Sequence, residues 1–387
     1  MDSKNEIKPP LNGVRVLELA RILAGPWAGQ TLADLGADVL KVENLQGDDT
    51  RRWGPPFIEN SNGSKDASYF HACNRGKRSI ALDFNEPESQ TVIKNLVKDA
   101  DVIIENFKLG GLKKFGLDYE SLSAINPRLI YCSITGFGQT GPYAARAGYD
   151  FLVQGMSGIM DLTGEPDGPP QKIGVAFADI FTGLYAVIGI QAALAHRQHT
   201  GRGQHIDMSL FDCMVGVLAN QAMNYLTSGN NPTRAGNTHP NIAPYEAFPT
   251  KDNWFILAVG NDKQFRRFCD IVGLENLPDD PDFSSNDERV KNQKALSGYI
   301  KTQTQKWPRD LLLEALEREG VPASRINTVE EAFNDPQIIA REMLIQLTNG
   351  SGELSIPSVR TPLNFSDTKL NLNSASPIHG KDKAEWL

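Results

Sequence analysis

From residue 14 the chain alternates short β-branched runs with amphipathic stretches, and this alternation leaves few folds open to it. VRVLELA, DVLKVE, SIALDF, DVIIENF and LIYCSIT each have the length and apolar content of a strand buried on both faces. Between them lie helical patterns. The clearest is at 86–99, where Asn85 is placed to cap, Pro87 sits in the first turn, and Val92, Ile93, Leu96 and Val97 share one face. Strands separated by helices run parallel, with helices over both faces of the sheet. The expected fold class is α/β, with a large Rossmann-like, doubly wound domain.

Beyond residue 179 the pattern changes. Two long helices are expected at about 180–199 and 207–228, joined by the turn TGRGQH. A Pro-, Asn- and Gly-rich passage at 230–248 reads as a linker. WFILAVG then reads as a strand and 262–273, 284–304 and 308–319 as helices of a smaller α/β domain. The expected boundaries are a large domain over 1–228 and 331–387, with linker helices from about 200, and a small domain over 229–330. A chain of 387 residues is long enough to bury two cores and form a cleft.

Composition narrows the function classes. Acidic residues outnumber basic ones, 47 to 39, and no basic stripe is interleaved with aromatics, which argues against nucleic acid as a partner. No run reaches the roughly 20 uninterrupted apolar residues of a membrane span; the best, LYAVIGIQAALA, is short and contains Gln191. The start, MDSKNEIKPP, is polar where an export signal is apolar, so a cytoplasmic location is expected. Cys73, Cys132, Cys213 and Cys269 lie far apart and read as buried free thiols, not a zinc or redox motif. His196 and His199, near His205, have no acidic or cysteine neighbours, so no metal site is expected; histidines at a helix C-terminus favour the macrodipole. No phosphate-binding P-loop and no G-x-S-x-G elbow is present.

Two motifs remain. GFGQTG at 136–141 fits the dinucleotide pattern G-x-G-x-x-G after a strand, but Pro142 and the polar PYAARAGYD follow where a helix should start, so a tight glycine turn is the preferred reading. In GVAFADIFTG, Asp179 stands among small and apolar residues before a long helical run. Asp is a favoured N-cap, and a helix N-terminus favours an ionised carboxylate by ~0.3–1 kcal/mol when exposed and up to ~2 kcal/mol when partly buried, against the desolvation that raises its pKa. An ionised, poorly solvated carboxylate is also a nucleophile, so cap and chemistry both remain open on these residues alone.

LNGVRVLELARILAGPWAGQTLADLGADVLKVE, DDTRRWGPP, NRGKRSIALDF, ADVIIENF, INPRLIYCSITGFGQTGPY, AGYDFLVQGMSG, GVAFADIFTG and TGRGQHIDMSL, in this order, resemble the class III (CaiB/BaiF) coenzyme A transferases. APYEAF and VGNDKQF are similar to the family's small domain. The resemblance implies an interlocked homodimer and an acyl-CoA:carboxylate CoA-transferase. Its catalytic aspartate, matching Asp179, would form a mixed anhydride and then an aspartyl-CoA thioester, with no metal and no tightly bound cofactor, coenzyme A entering as co-substrate. It places Tyr149 and Asp150 beside the nucleophile, and Gly260 where relatives carry a glycine-rich loop that closes over it, with Asn261 at the substrate.

For coenzyme A it implies a groove along Ile22, Leu23, Ala24, Asn44, Leu82, Asp83, Phe84, Asn85, Asn106, Phe107, Lys108 and Lys114. Asn44 stands where relatives have an arginine, so part of the phosphate recognition differs. Core packing at strand ends is the alternative reading of Leu82, Phe84 and Phe107. Arg51, Arg52 and Trp53 fall where relatives shape the acyl pocket, and the arginines suggest a distal carboxylate, as in succinyl-CoA with glutarate, a solvated surface position being the alternative for at least one of the two. The rival within the fold, an α-methylacyl-CoA racemase, pairs its aspartate with histidine; here Tyr149 takes that place, and a phenol near pKa 10 is a poor base. A non-catalytic CoA-binding protein and an NAD-dependent oxidoreductase are the readings from other classes.

Overall fold

In the computed structural model, which describes residues 7–348 and 355–387, the β-branched runs form a six-stranded, all-parallel sheet. The first six residues of the polar N-terminal stretch lie outside the described residues. The strands are β1 (Arg15–Glu18), β2 (Asp38–Glu43), β3 (Arg78–Ala81), β4 (Val102–Glu105), β5 (Ile130–Thr135) and β6 (His205–Ser209), in spatial order β3-β2-β1-β4-β5-β6. The helices of this layer are α1 (Ala24–Asp34), α2 (Pro87–Val97), α3 (Tyr119–Ile125), α4 (Asp150–Met156), α5 (Phe177–Thr200), α6 (Leu210–Gly216) and α7 (Ala219–Ser228).

Because successive strand residues point to opposite faces, each apolar run feeds two cores. Val16, Val102, Ile104, Ile130 and Cys132 pack with Leu32 of α1 and Ala186 and Ile190 of α5. Leu17, Leu40, Ile103 and Tyr131 pack on the other side with Ile93 and Leu96 of α2 and Leu122 of α3. Each fully buried aliphatic side chain contributes ~1.5–3 kcal/mol, so the sheet is held from both faces. The four cysteines are buried free thiols.

Four expectations need correction. HIDMS, expected to open a helix, is β6: the open edge of β5 offers a hydrogen-bonding partner, and Ser209 then caps α6 by accepting the Asp212 N–H. Asn85 does not cap α2. Glu86 precedes the helix, and the Asn85 amide donates instead to Asp83 at 2.9 Å. The run 284–304 is broken at Asn292 into Asn286–Lys291 and Gln293–Thr304. Part of the expected linker, Tyr245–Pro249, is a strand.

The chain divides into two compact units, one running to Ile159 and including Lys172–Thr227 and Pro336–Leu387, the other comprising Met160–Gln171 and Ser228–Asp335. The second unit has a three-stranded antiparallel sheet of β7 (Tyr245–Pro249), β8 (Trp254–Ala258) and β9 (Ala323–Arg325), with β8 central. Its own core gathers Phe248, Phe255, Leu257, Phe265, Phe268, Leu296 and Leu312.

Candidate active site

The carboxyl ends of β1 to β5 open into a cavity of about 740 Å³. It lies where the strand order reverses between β1 and β4, the point at which doubly wound sheets leave a crevice for a ligand. Residues 19–24, 44–48, 82–85, 106–109, 134–136 and 146–150 line it, together with Lys114 and Asp179. Of the expected site residues, Ile22, Leu23, Ala24, Asn44, Leu82, Asp83, Phe84, Asn85, Asn106, Phe107, Lys108, Lys114, Tyr149, Asp150 and Asp179 are all on its wall.

A buried ion network shapes the floor. Lys41 Nζ donates to Glu18 at 3.0 Å and to the Ala20 carbonyl at 2.7 Å, and lies 2.9 Å from Asp48; Lys77 Nζ is 2.8 Å from Glu18. Burial opposes the charge of Lys41, but Asp48 and Glu18 outweigh it and hold its pKa above the ordinary range. Asp48 in turn accepts the Ile22 N–H at 3.3 Å. That bond matters because Ile22 has φ +73°, a left-handed conformation that is rare and costly for a β-branched residue. Asn106, expected to meet the ligand, uses its amide nitrogen and oxygen on the Arg21 main chain, at 2.7 and 3.0 Å, and so stitches the loops after β1 and β4 together.

One end of the cavity is aromatic and basic. Phe84 lies 5.8 Å from Phe107 and 6.1 Å from Phe115, and Lys114 Nζ sits 4.5 Å over the Phe115 ring. Leu82, Phe84 and Phe107 pack against the core and also line the cavity. Among the described residues, Lys108 and Lys114 have no carboxylate partner. A planar base and a phosphate suit such a surface. Arg146, also on the cavity wall, lies over the rings of Tyr143 and Phe137, at 4.5 and 5.4 Å.

Asp179 occupies the third position of α5, not its cap. The residue before the helix, Ala176, offers no side-chain cap; Asp150 Oδ1, from α4, accepts the Ala178 N–H at 2.8 Å in its place. Burial, then the Asp150 charge, pushes the Asp179 carboxyl up to about 7. Desolvation is thus the leading influence on Asp179, and it opposes ionisation. The phenol of Tyr69 is pushed up to about 12 by its own burial and then by the charge of Asp179.

The expectations for Arg51, Arg52 and Trp53 fail on geometry. Arg51 is buried and does not line the cavity: Nε and Nη2 donate to Glu43 at 2.8 and 2.7 Å and Nη1 to Asp66 at 2.8 Å, leaving it no face for a substrate carboxylate. Burial works against ionising Glu43, yet the Arg51 bonds and charge bring it down to about 2. Arg52 is taken by Asp49 and the Gln46 carbonyl, at 3.0 and 2.7 Å. Trp53 is half-exposed, edge-on to Tyr69 at 5.4 Å, and is not on the cavity wall. In the second unit the Gly260 N–H donates to Gln264 at 2.9 Å, and Asn261 caps the helix Asp262–Val272 by accepting the Gln264 N–H at 3.0 Å. The Asn261 oxygen is thus occupied by a structural bond.

GFGQTG opens no helix; Gly136 packs directly on Gly148, with no room for a Cβ on either. His205 bonds Ser133 at 2.9 Å and stacks on Tyr119 at 5.1 Å, and among the described residues no three metal-ligating side chains gather. Lys41, Glu43 and Asp48, which line the cavity, were missed as site residues. The signal available for the first two was a charge set among buried apolar strand neighbours, Lys41 between Leu40 and Val42 and Glu43 after Val42.

The sequence profile of CoA-transferase family III matches residues 11–383. The succinate–glutarate CoA-transferase of Agrobacterium fabrum is 58% identical over 382 residues, spanning 98% of this chain and 95% of its own. The succinyl-CoA:glutarate CoA-transferase of Homo sapiens is 40% identical over 390 residues, spanning 99% and 86%. The crystal structure of a CaiB/BaiF family protein from Brucella suis matches with a TM-score of 0.86 at 61% identity, over 97% of each chain.

Proposed function

We propose, for a chain that belongs to CoA-transferase family III, that it moves coenzyme A between short dicarboxylates such as succinate and glutarate through a covalent intermediate on Asp179. The enzyme class follows from the family, and acyl-CoA is its co-substrate. The observation that carries the covalent step is a poorly solvated carboxylate, held near pKa 7, on the wall of a cavity able to take a long ligand.

The Asp179 carboxylate attacks the thioester carbonyl carbon of the donor; the C–S bond breaks and its electron pair leaves on the CoA thiolate. The thiolate then attacks the aspartyl carbonyl of the mixed anhydride, and the donor acid departs as carboxylate, leaving an aspartyl-CoA thioester. The acceptor carboxylate runs these two steps in reverse and restores Asp179. Carboxylate and thiolate alternate as nucleophile and leaving group, so no net proton is taken up or released. Asp150 holds the helix start, and the Lys108–Lys114 end with its aromatic shelf takes the nucleotide part of coenzyme A. With Arg51 internally paired, Arg146 is the cavity cation that would meet a distal carboxylate.

A homodimer, interlocked as the family resemblance implies, is part of the same proposal. α5 has 24 residues with a hydropathy of 1.6 in its most apolar window, enough by length and composition to cross a membrane. Its inner face packs on the sheet through Ala178, Ala186 and Ile190, while Leu184, Tyr185 and Ile188 are exposed beside Phe151, Leu152 and Met156 of α4. An exposed apolar face of that kind is suited to a second copy of the chain. A cytoplasmic setting is supported by the four buried, unpaired thiols.

The test is mass spectrometry after incubation with succinyl-CoA, with and without hydroxylamine or borohydride, comparing wild type with Asp179→Ala. A CoA adduct on Asp179, absent from the variant, is expected. Full turnover by Asp179→Ala would refute the assignment.

A further inference from the structure

Asp150 does not hold its own position. Gln154, one turn further along α4 and fully buried, donates from Nε2 to Asp150 Oδ2 at 2.7 Å, while its Oε1 accepts the Ile173 N–H at 2.9 Å. The other Asp150 oxygen accepts the Ala178 N–H. One buried amide and one carboxylate, at the i, i+4 spacing that brings helix side chains together, therefore tie down both ends of residues 173–178. That segment leads directly into Asp179.

Between its two anchors the segment has little packing of its own. A Cβ on Gly174 would meet nothing within 4 Å, and Val175 is 52% exposed. Packing does not explain the amide either, since leucine would fill a similar volume without burying a polar group. What only an amide supplies here is a donor for Asp150 and an acceptor for Ile173 at once. We propose that Gln154 is a positioning residue of the transfer reaction: through Asp150 and the Ile173 main chain it sets where the Asp179 carboxylate stands in the cavity. This rests on the reading of Asp179 as nucleophile.

Two variants of the full-length protein test it. In Gln154→Leu, residues 173–178 lose one anchor and Asp150 loses its donor. The rate of aspartyl-CoA formation from succinyl-CoA should fall on the order of 10²-fold, with KM changed far less, and amides 173–178 should exchange hydrogen faster. In Gln154→Glu, the protonated carboxyl donates as the amide does, whereas the ionised one cannot donate and repels Asp150. Its rate, taken as a ratio to wild type at each pH, should be near wild type at low pH and fall as the new carboxyl ionises. A purely structural loss would leave that ratio flat. If Gln154→Leu is unfolded by circular dichroism, the Gln154→Glu profile alone decides.

A folded Gln154→Leu with the wild-type adduct rate, or a flat Gln154→Glu ratio, overturns the proposal while Asp179→Ala stays inactive. An Asp179→Ala that still forms the adduct overturns the nucleophile reading instead, and the proposal with it.

Discussion

Asp179→Asn is expected to stabilise the protein while abolishing the adduct, and to do so in a pH-dependent way. The folded protein holds the carboxyl at about 7 against an ordinary 3.8, so between those values the folded state keeps a proton that the unfolded chain has released. That contribution to stability is complete below the unfolded value and is lost as pH rises through the folded one, at ~1.4 kcal/mol per pH unit. From pH 5 to pH 8 the protein crosses roughly two units of this window and loses roughly 2.7 kcal/mol, a ceiling because part of the side chain meets water. Asparagine does not titrate. Its advantage over aspartate should therefore grow by the same amount, which for a chain of 387 residues corresponds to roughly 3 °C in Tm. Thermal melts of both proteins at pH 5 and pH 8 measure it. The same Tm offset at both pH values would refute the reasoning, because Asp179 would then be an ordinary surface acid. The wild-type rate of adduct formation should rise with pH to half its plateau near 7.

Removing one partner from the buried ion network is expected to cost far more than a surface change. Lys41→Met leaves Glu18 and Asp48 facing each other without their shared cation, and urea unfolding should show a loss of about 3–5 kcal/mol. Arg51→Leu should destabilise in the same assay and leave the preference between diacid and monoacid donors untouched, since its donors belong to Glu43 and Asp66. Arg146→Met should lower kcat/KM for succinyl-CoA on the order of tenfold more than for acetyl-CoA, the worth of one charge-assisted hydrogen bond; an equal loss for both donors would remove Arg146 from acyl recognition.

The parallel sheet was legible because apolar runs buried on both faces have a length and composition that little else shares. β6 was not: HIDMS carries His205 and Asp207, and nothing local marks it as a strand until the edge of β5 is there to pair with it. The cavity was legible in the same uneven way. Ile22, Phe84 and Asp179 follow strand or precede helix signals, and they do meet at one wall. Arg51 was misread because a guanidinium beside a tryptophan reads the same in sequence whether its partner is a ligand or two internal carboxylates. Its partners, Glu43 on β2 and Asp66 in the short strand Lys65–Ala67, stand 8 and 15 residues away, and only tertiary packing brings them together.

Around Asp179, the group that satisfies the helix start and the proposed nucleophile are two different residues. A carboxylate that caps its own helix points at the N–H groups and is stabilised by them, ~2 kcal/mol at most, which makes it a weaker nucleophile and commits its oxygens to the main chain. Here Asp150 takes the Ala178 N–H from outside the helix. Its negative charge adds a repulsion that opposes ionisation of Asp179. Asp179 is thereby left without a hydrogen bond from any described residue, its pKa raised by burial first and Asp150 second. Two aspartates divide what one residue could not do: one satisfies the helix, and the other stands on the cavity wall with its carboxylate uncommitted, the state that the proposed attack on a thioester needs.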